Sequence, residues 1–393
     1  MRRTSVTVVV IAAALVGAIL AWRTRAAPAR PLVPPKAGTA SEVHDTERGR
    51  IRVTELVTHL DHPWSVAFLP DAEMLITERP GRLRRVSPHG DVSEPLAGVP
   101  EVFAEGQSGL LDVAVSPTFA ADRLVYLSYG ERNFRGNKGG TAVARGRLEG
   151  NALVGVEVIY RQEPKLSSGS HVGSRLVFDD EGFLFVTQGE NRQADAAQDL
   201  SKLQGKLVRI RPDGGIPEGN PFVGRSGRPE IWSYGHRNMQ GAALHPATRK
   251  LWTTEHGPQG GDEINVPEPG RNYGWPVITH GIDYSGAPVP SSIGKAAPGM
   301  EQPTYVWLES PAVSGMAFYT ASRLPFWQGN LFVGALARHS LIRLELDGTK
   351  VMHEERILTS RGERIRDVRQ GPDGCLYLLT DADDGKLLRI EPE

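Results

Sequence analysis

The sequence predicts an all-β fold, a six-bladed β-propeller, and three observations carry that prediction. First, from Ile51 onward short runs rich in Val, Ile, Leu, Phe and Tyr alternate with clusters of Gly, Pro, Asp and Asn, and no long stretch keeps a helical period. Second, one unit recurs: an apolar pair, a Pro/Asp/Gly turn, then a strand that often ends in Thr. Its six copies are Val66–Pro70 to Leu75–Thr77, Val113–Pro117 to Val125–Leu127, Leu176–Asp179 to Leu184–Thr187, Ala243–Pro246 to Leu251–Thr254, Met316–Phe318 to Leu331–Val333, and Val368–Pro372 to Leu376–Thr380. Third, the copies return at intervals of roughly 50 to 70 residues, room for a four-stranded unit that buries its faces only by stacking on its neighbours. A β-sandwich is the alternative, and it seldom carries so many loop-rich copies of one unit.

Each element follows from the same reading. Several copies end in a basic-apolar third strand, Gly81–Val86, Gly205–Ile210 and Gly385–Ile390, whose arginines are expected to face outward. Ahead of the repeats, Arg2 and Arg3 precede an apolar run from Val6 to Trp22. This pattern marks residues 1–27 as a signal peptide, with Ala26-Ala27-Pro28-Ala29 as the cleavage region, or as an uncleaved membrane anchor, since Arg23 and Arg25 interrupt the approach to that region. Residues 28–50, rich in proline, alanine and mixed charge, read as a linker, and 51–393 as the propeller.

Composition narrows the function. Lys plus Arg (45) balances Asp plus Glu (46), so no basic field favours nucleic acid. The single cysteine, Cys375, rules out an internal disulfide, a multi-cysteine zinc site and a Cys-x-x-Cys-His haem attachment. In a propeller, equivalent loops converge on one end of the channel, and here they are dense in reactive groups. The dense segments are Gly106–Asp112, Ser170–Leu176, Tyr234–Gly241, Thr254–Asn265 and Arg364–Asp367.

Together with Leu60–Trp64, Asn272–Pro276 and the turn at Pro372–Gly374, these segments resemble the soluble quinoprotein glucose dehydrogenase and aldose sugar dehydrogenase family from about His62 to Ile390. The resemblance implies a PQQ- and calcium-dependent oxidoreductase that turns the C1 hydroxyl of an aldose into a lactone. A sugar is then its small-molecule partner, an external electron acceptor takes the electrons, nucleic acid plays no part, and a membrane is involved only if the N-terminal segment stays uncleaved. The N-terminal segment, rather than the resemblance, carries the expectation of a periplasmic or otherwise exported enzyme, membrane-anchored if that segment stays uncleaved.

The resemblance also assigns residues. Gln107 contacts the quinone. His171 is the general base, a role that suits a group titrating near neutrality. Arg237 stabilises charge that develops on the quinone, and Asn238 lies beside it. Arg364 and Arg366, expected on one face of a strand, bind cofactor carboxylates as planar forks. Gly257 and Pro258 offer carbonyls to a calcium ion, next to His256 on the cofactor wall. Asp262, Glu263 and Tyr273 resemble a second calcium site. Where the family often has a lysine after a leucine in the fifth blade, Leu336 is followed by Ala337 and Arg338, which leaves open whether Arg338 substitutes.

Taken singly, each residue also has a plain structural reading: a turn glutamine, a solvated histidine, outward arginines on a blade edge, an acidic turn. Two other functions fit a propeller, a calcium-dependent lactonase or esterase and a non-catalytic binding module. The first usually draws Asp, Asn and Glu side chains into the channel, and the second has no need for His171 and Arg237 together. The Pro-, Gly- and Ser-rich stretch Gly281–Gly299 is expected on the substrate rim.

Overall fold

The computed structural model describes residues 30–393, and the proposed signal segment lies outside the described residues. Six antiparallel sheets follow one another along the chain. Blade one holds Pro63–Phe68, Met74–Glu78 and Arg82–Val86; blade two Leu110–Val115, Leu124–Arg132, Gly139–Glu149 and Ala152–Arg161; blade three Leu176–Phe178, Leu184–Thr187, Lys206–Ile210 and Ile231–Tyr234. Blade four comprises Met239–Leu244, Leu251–Glu255, Asp262–Asn265 and Tyr305–Trp307, and blade five Val313–Phe318, Leu331–Ala335, Ser340–Asp347 and Lys350–Ile357. Each of the six sequence copies is the inner strand pair of one blade.

Blade six joins both ends of the described chain. Ile365–Gln370, Leu376–Thr380 and Gly385–Pro392 come from the C-terminal end, and Gly49–Leu60 pairs with the last of them in the register Ile51↔Pro392 and Val53↔Ile390. This pairing closes the ring. A further strand, Ser41–Thr46, runs antiparallel outside it, so the second half of the stretch read as a linker is sheet. Its polar, charge-bearing sequence hid it, because an edge strand with an exposed face needs no apolar alternation. The preceding residues also lie on the body, where Val33 O accepts a hydrogen bond from Arg389 at 2.7 Å.

The core is a set of clusters between adjacent blades, as stacking requires. Leu83 and Leu75 pack with Val113 and Leu127 between blades one and two, and Phe332 and Leu341 pack with Leu378 and Leu388 between five and six. The third-strand cations differ from expectation. Arg209 and Arg389 are buried rather than outward, and Lys206 in the same set of strands is buried too. Arg209 is tolerated because its guanidinium lies over the Phe183 and Trp232 rings (4.2 and 4.9 Å to the centroids) and pairs with Asp179 at 3.1 Å.

One irregularity positions the site. In five blades the inner strand slips register near its start, between Pro63 and Ser65, Leu110 and Val113, Met239 and Gly241, Val313 and Met316, and Ile365 and Asp367. Such bulges redirect a side chain that strict alternation would send elsewhere. The residues skipped include Trp64, Gln240 and Arg366, and all three face the cavity at that end of the channel.

Candidate functional site

The loops before each inner strand and after its partner meet around a cavity of about 450 Å³. A simple rule describes part of its wall. The residue immediately after the second strand of blades one, four, five and six is Arg79, His256, Leu336 and Asp381, and all four line it. Gln107, Arg364 and Arg366 complete the cavity's main polar lining.

His171 sits on the loop between blades two and three with φ 50°, 8% exposed. Its backbone N–H donates to Gln107 Oε1 at 2.8 Å. Its ring Nδ1 lies 2.8 Å from Oε2 and 3.0 Å from Oε1 of Glu190, which is itself buried. A carboxylate accepts only, so Nδ1 carries the proton and the lone pair is left on Nε2, which has no partner among the described residues. Gly189 makes this approach possible: a Cβ there would lie 1.9 Å from the His171 carbonyl oxygen. Glu190 is the functional residue that the sequence reading missed. It lies three residues past the second strand of blade three, whereas the residue directly after that strand is Gln188, so the position rule of the other blades does not point to it.

The same loop carries the chain to Arg237, since the Glu190 N–H donates to Arg237 O at 3.0 Å. Arg237 is buried with its guanidinium 5.2 Å from the Trp275 ring centroid and one donor, Nη1, on His256 O at 3.3 Å. Its backbone N–H and the His236 ring are both held by Glu255. Arg237 Nε is buried without a partner, a donor left for something else to accept. Asn238 accepts from Gly173 N at 3.2 Å and from Gln240 Nε2 at 3.1 Å.

His256 divides the large cavity from a pocket of about 20 Å³ lined by Arg237, Glu255, Glu263 and Tyr273. Burial, with the Arg237 charge adding to it, lowers the His256 pKa to about 4, so the ring is neutral and its Nε2 donates to Val313 O. Burial and the nearby Glu255 charge push the Glu263 carboxyl well above the usual range. A buried, mutually repelling carboxylate pair is what a cation relieves. The Gly257 and Pro258 carbonyls accept no hydrogen bond among the described residues, and hard oxygens of this kind suit calcium. No cluster of three or more His, Cys, Asp or Glu side chains among the described residues is arranged to hold a metal, so backbone oxygens would carry much of such a site.

Two expected ligands are engaged elsewhere. Asp262 accepts from Gly257 N, Ser310 Oγ and Val313 N at 3.0, 2.6 and 3.1 Å, tying two loops together. The Tyr273 hydroxyl donates to Val266 O at 2.7 Å and accepts from Glu268 N, which leaves only its backbone oxygen for a cation.

Arg364 and Arg366 do face the same way, but a bulge rather than alternation aims them. Arg366 donates to Gln240 Oε1 at 2.9 Å and to Asp381 at 2.7 Å, and Arg364 reaches the same carboxylate at 3.3 Å. Burial would raise the Asp381 pKa, but Arg366, then His62 and Arg364, outweigh it and hold the carboxyl well below the usual range. Arg338 does not stand in for the family lysine: it is half exposed, pairs with Glu309 at 2.9 Å and does not line the cavity.

The family model for glucose/sorbosone dehydrogenases matches residues 60–389. The aldose sugar dehydrogenase YliI of Escherichia coli (strain K12) is 54% identical over 346 residues, covering 87% of this chain and 93% of that protein. The crystal structure of the soluble E. coli aldose sugar dehydrogenase in the apo form superposes with a TM-score of 0.85 at 53% identity, covering 87% of this chain and all (100%) of that one. A PQQ-bound aldose sugar dehydrogenase from Streptomyces coelicolor gives a TM-score of 0.72 at 28% identity, covering 91% and 100%. Sequence match and shared fold lead to one statement: this chain belongs to the glucose/sorbosone dehydrogenase family of oxidoreductases.

Proposed function

We propose that the chain oxidises aldose sugars at C1 to lactones, with PQQ and calcium as cofactors, outside the cytoplasm. When bound, PQQ supplies the acceptor for the hydride that leaves C1. The remaining work falls to the protein. His171 Nε2 takes the hydroxyl proton, and Glu190 on Nδ1 fixes the tautomer and steadies the cation that forms. Arg237 places a fixed positive charge where negative charge builds. Gln107 and Asn238 orient the ring system, Arg364 and Arg366 hold carboxylates, and His256 stays neutral beside them. The Gly257 and Pro258 carbonyls hold the catalytic calcium, and Glu263 with the Tyr273 backbone oxygen holds the second. Electrons leave to a separate acceptor.

The observation that carries this reading is the His171–Glu190 pair, 2.8 Å apart, bonded through Gln107 to a cavity rich in guanidinium groups. Its test is dye reduction by purified apoprotein with aldoses, with and without PQQ and calcium. Sugar-dependent reduction only with both added is expected, and its absence with every aldose tried overturns the reading. Export rests on Arg2, Arg3 and the apolar run to Trp22, and no described helix is long and apolar enough to cross a membrane. Cell fractionation should find the protein outside the cytosol, and full-length cytosolic protein would refute export.

A further inference from the structure

Resting on the PQQ reading, we propose that Arg79 is a third carboxylate-binding arginine of the cofactor cavity, supplying from blade one the charge that blade five lacks after Leu336. Arg79 occupies the position directly after the second strand of its blade, the same place from which His256, Leu336 and Asp381 reach the cavity. Its neighbours in the hairpin behave differently. Arg82 and Arg84 both pair with the buried carboxylate of Glu78, at 2.7 and 2.8 Å. Arg79, next to Glu78 in the chain, turns away from it, has no carboxylate within ion-pair distance among the described residues, and spends one donor on Gly106 O, beside Gln107.

The charge count around the cavity points the same way. Its lining holds three guanidinium groups, Arg79, Arg364 and Arg366, against the one carboxylate of Asp381, which the latter two already share. An arginine does not shed its proton, so the surplus is met by water while the cavity is empty and by an anion when one binds. A rigid, planar polycarboxylate fits that demand, because Arg79 on blade one and the blade-six pair approach from adjacent walls. The blade-five cation cannot share this task, since Arg338 is committed to Glu309 outside the cavity.

The test is a titration of calcium-loaded apoprotein with PQQ, followed by tryptophan fluorescence, Trp64 lying in the cavity wall. Losing one charge-assisted bond in Arg79→Gln should weaken binding about 10- to 100-fold. Arg79→Lys should recover part of the loss, and Arg338→Ala should bind as the unaltered protein does. The trimethyl ester of PQQ, which has no carboxylate charge, should bind Arg79→Gln and unaltered protein equally. An unchanged PQQ affinity in Arg79→Gln overturns the proposal, and so does an equal loss for the ester, which would mean that Arg79 acts by bracing the Gly106 loop. Phenylglyoxal labelling of the unaltered protein supplies a check that needs no variant: Arg79 should be modified without PQQ and protected with it, and lack of protection overturns the proposal. If the unaltered protein fails to bind PQQ at all, the functional reading falls and takes this one with it.

Discussion

Two polar layers lie one on the other along the propeller axis, and they differ in charge balance. The inner layer is Arg175 and Arg369 with Asp112 and Asp367: Arg175 meets Asp367 and Asp112 at 2.9 and 3.3 Å, and Arg369 meets the same two at 3.0 and 2.9 Å. The outer layer is the cavity, with three guanidinium groups facing one carboxylate. Trp64 joins them, with Arg175 at 4.1 Å from its ring centroid and Arg366 at 5.9 Å. Beyond the inner layer the channel opens into an apolar space of about 440 Å³ lined by residues such as Val66 and Met316. Buried charges persist only when paired, so a closed set of two against two is a structural tie across blades one, two, three and six. An unclosed set leaves positive charge open to an anionic ligand. The comparison therefore predicts a separation: changes in the outer layer should alter function with little effect on stability, and changes in the inner layer the reverse.

The largest effect belongs just behind the outer layer, at His171, which does not itself line the cavity but is tied to its wall through Gln107. His171→Ala should lower turnover about 10²- to 10⁴-fold, the usual contribution of a general base, while PQQ affinity and the unfolding midpoint stay near their starting values. Steady-state kinetics beside thermal unfolding checks this. A near-normal turnover removes His171 as the base, and a collapse in stability erases the distinction between the layers.

On the inner layer, Asp112→Asn takes one carboxylate from a network in which Asp112 also accepts from Ser65 Oγ and the Leu176 N–H. Breaking a buried pair by removing one partner costs about 3–5 kcal/mol, and urea unfolding should show a loss of that size. PQQ affinity of the folded fraction should hold. A small stability change with a large loss of affinity would show that the inner layer is part of the site.

This division also separates what the sequence could tell from what it could not. The six inner strand pairs were legible because β-branched runs and Pro/Asp/Gly turns are local signals, each complete within about a dozen residues. Gln107, Arg364 and Arg366 were legible through the family resemblance of segments that lie between the repeats. Glu190 was not, because its meeting with His171 depends on Gly189 and on how the two loops pack, which no local pattern records. The bulges that aim Trp64, Gln240 and Arg366 were hidden for the same reason, as was the outward turn of Arg338 to Glu309. Burial of Lys206, Arg209 and Arg389 escaped notice because a basic strand residue reads as solvated unless its aromatic, carboxylate or carbonyl partners are known.

A middle-sized effect sharpens the comparison within the outer layer. Arg366→Ala should weaken PQQ binding by about 1.5–3 kcal/mol, one to two decades, and Arg364→Ala by less, because Arg364 is 44% exposed against 12% for Arg366. Titration of the apoproteins measures both. Equal losses would mean that burial does not grade these contacts, and no loss in either would remove both from the cofactor site.

The smallest effect, read per pH unit, concerns a buried cation that belongs to neither layer. Lys206 lies in the third strand of blade three, and its ammonium donates to Ala196 O at 2.7 Å and Gln204 O at 2.8 Å with no carboxylate in contact. Burial lowers its pKa from an ordinary 10.5 to about 7. The folded protein then releases this proton near pH 7 while the unfolded chain keeps it to about pH 10.5, so between these values the unfolded state binds more protons and stability rises with pH. The slope from one group is at most about 1.4 kcal/mol per pH unit, and the gain is lost as pH falls back toward 7. Urea unfolding at several pH values in this window should show that slope in the unaltered protein and a flatter line in Lys206→Met, with other titrating groups cancelling in the difference. A lysine sealed among carbonyls can shed its charge, whereas the arginines of the cavity keep theirs and are open to an anion. If the two lines coincide, the Ala196 and Gln204 carbonyls hold Lys206 charged through this window and burial does not force its proton off.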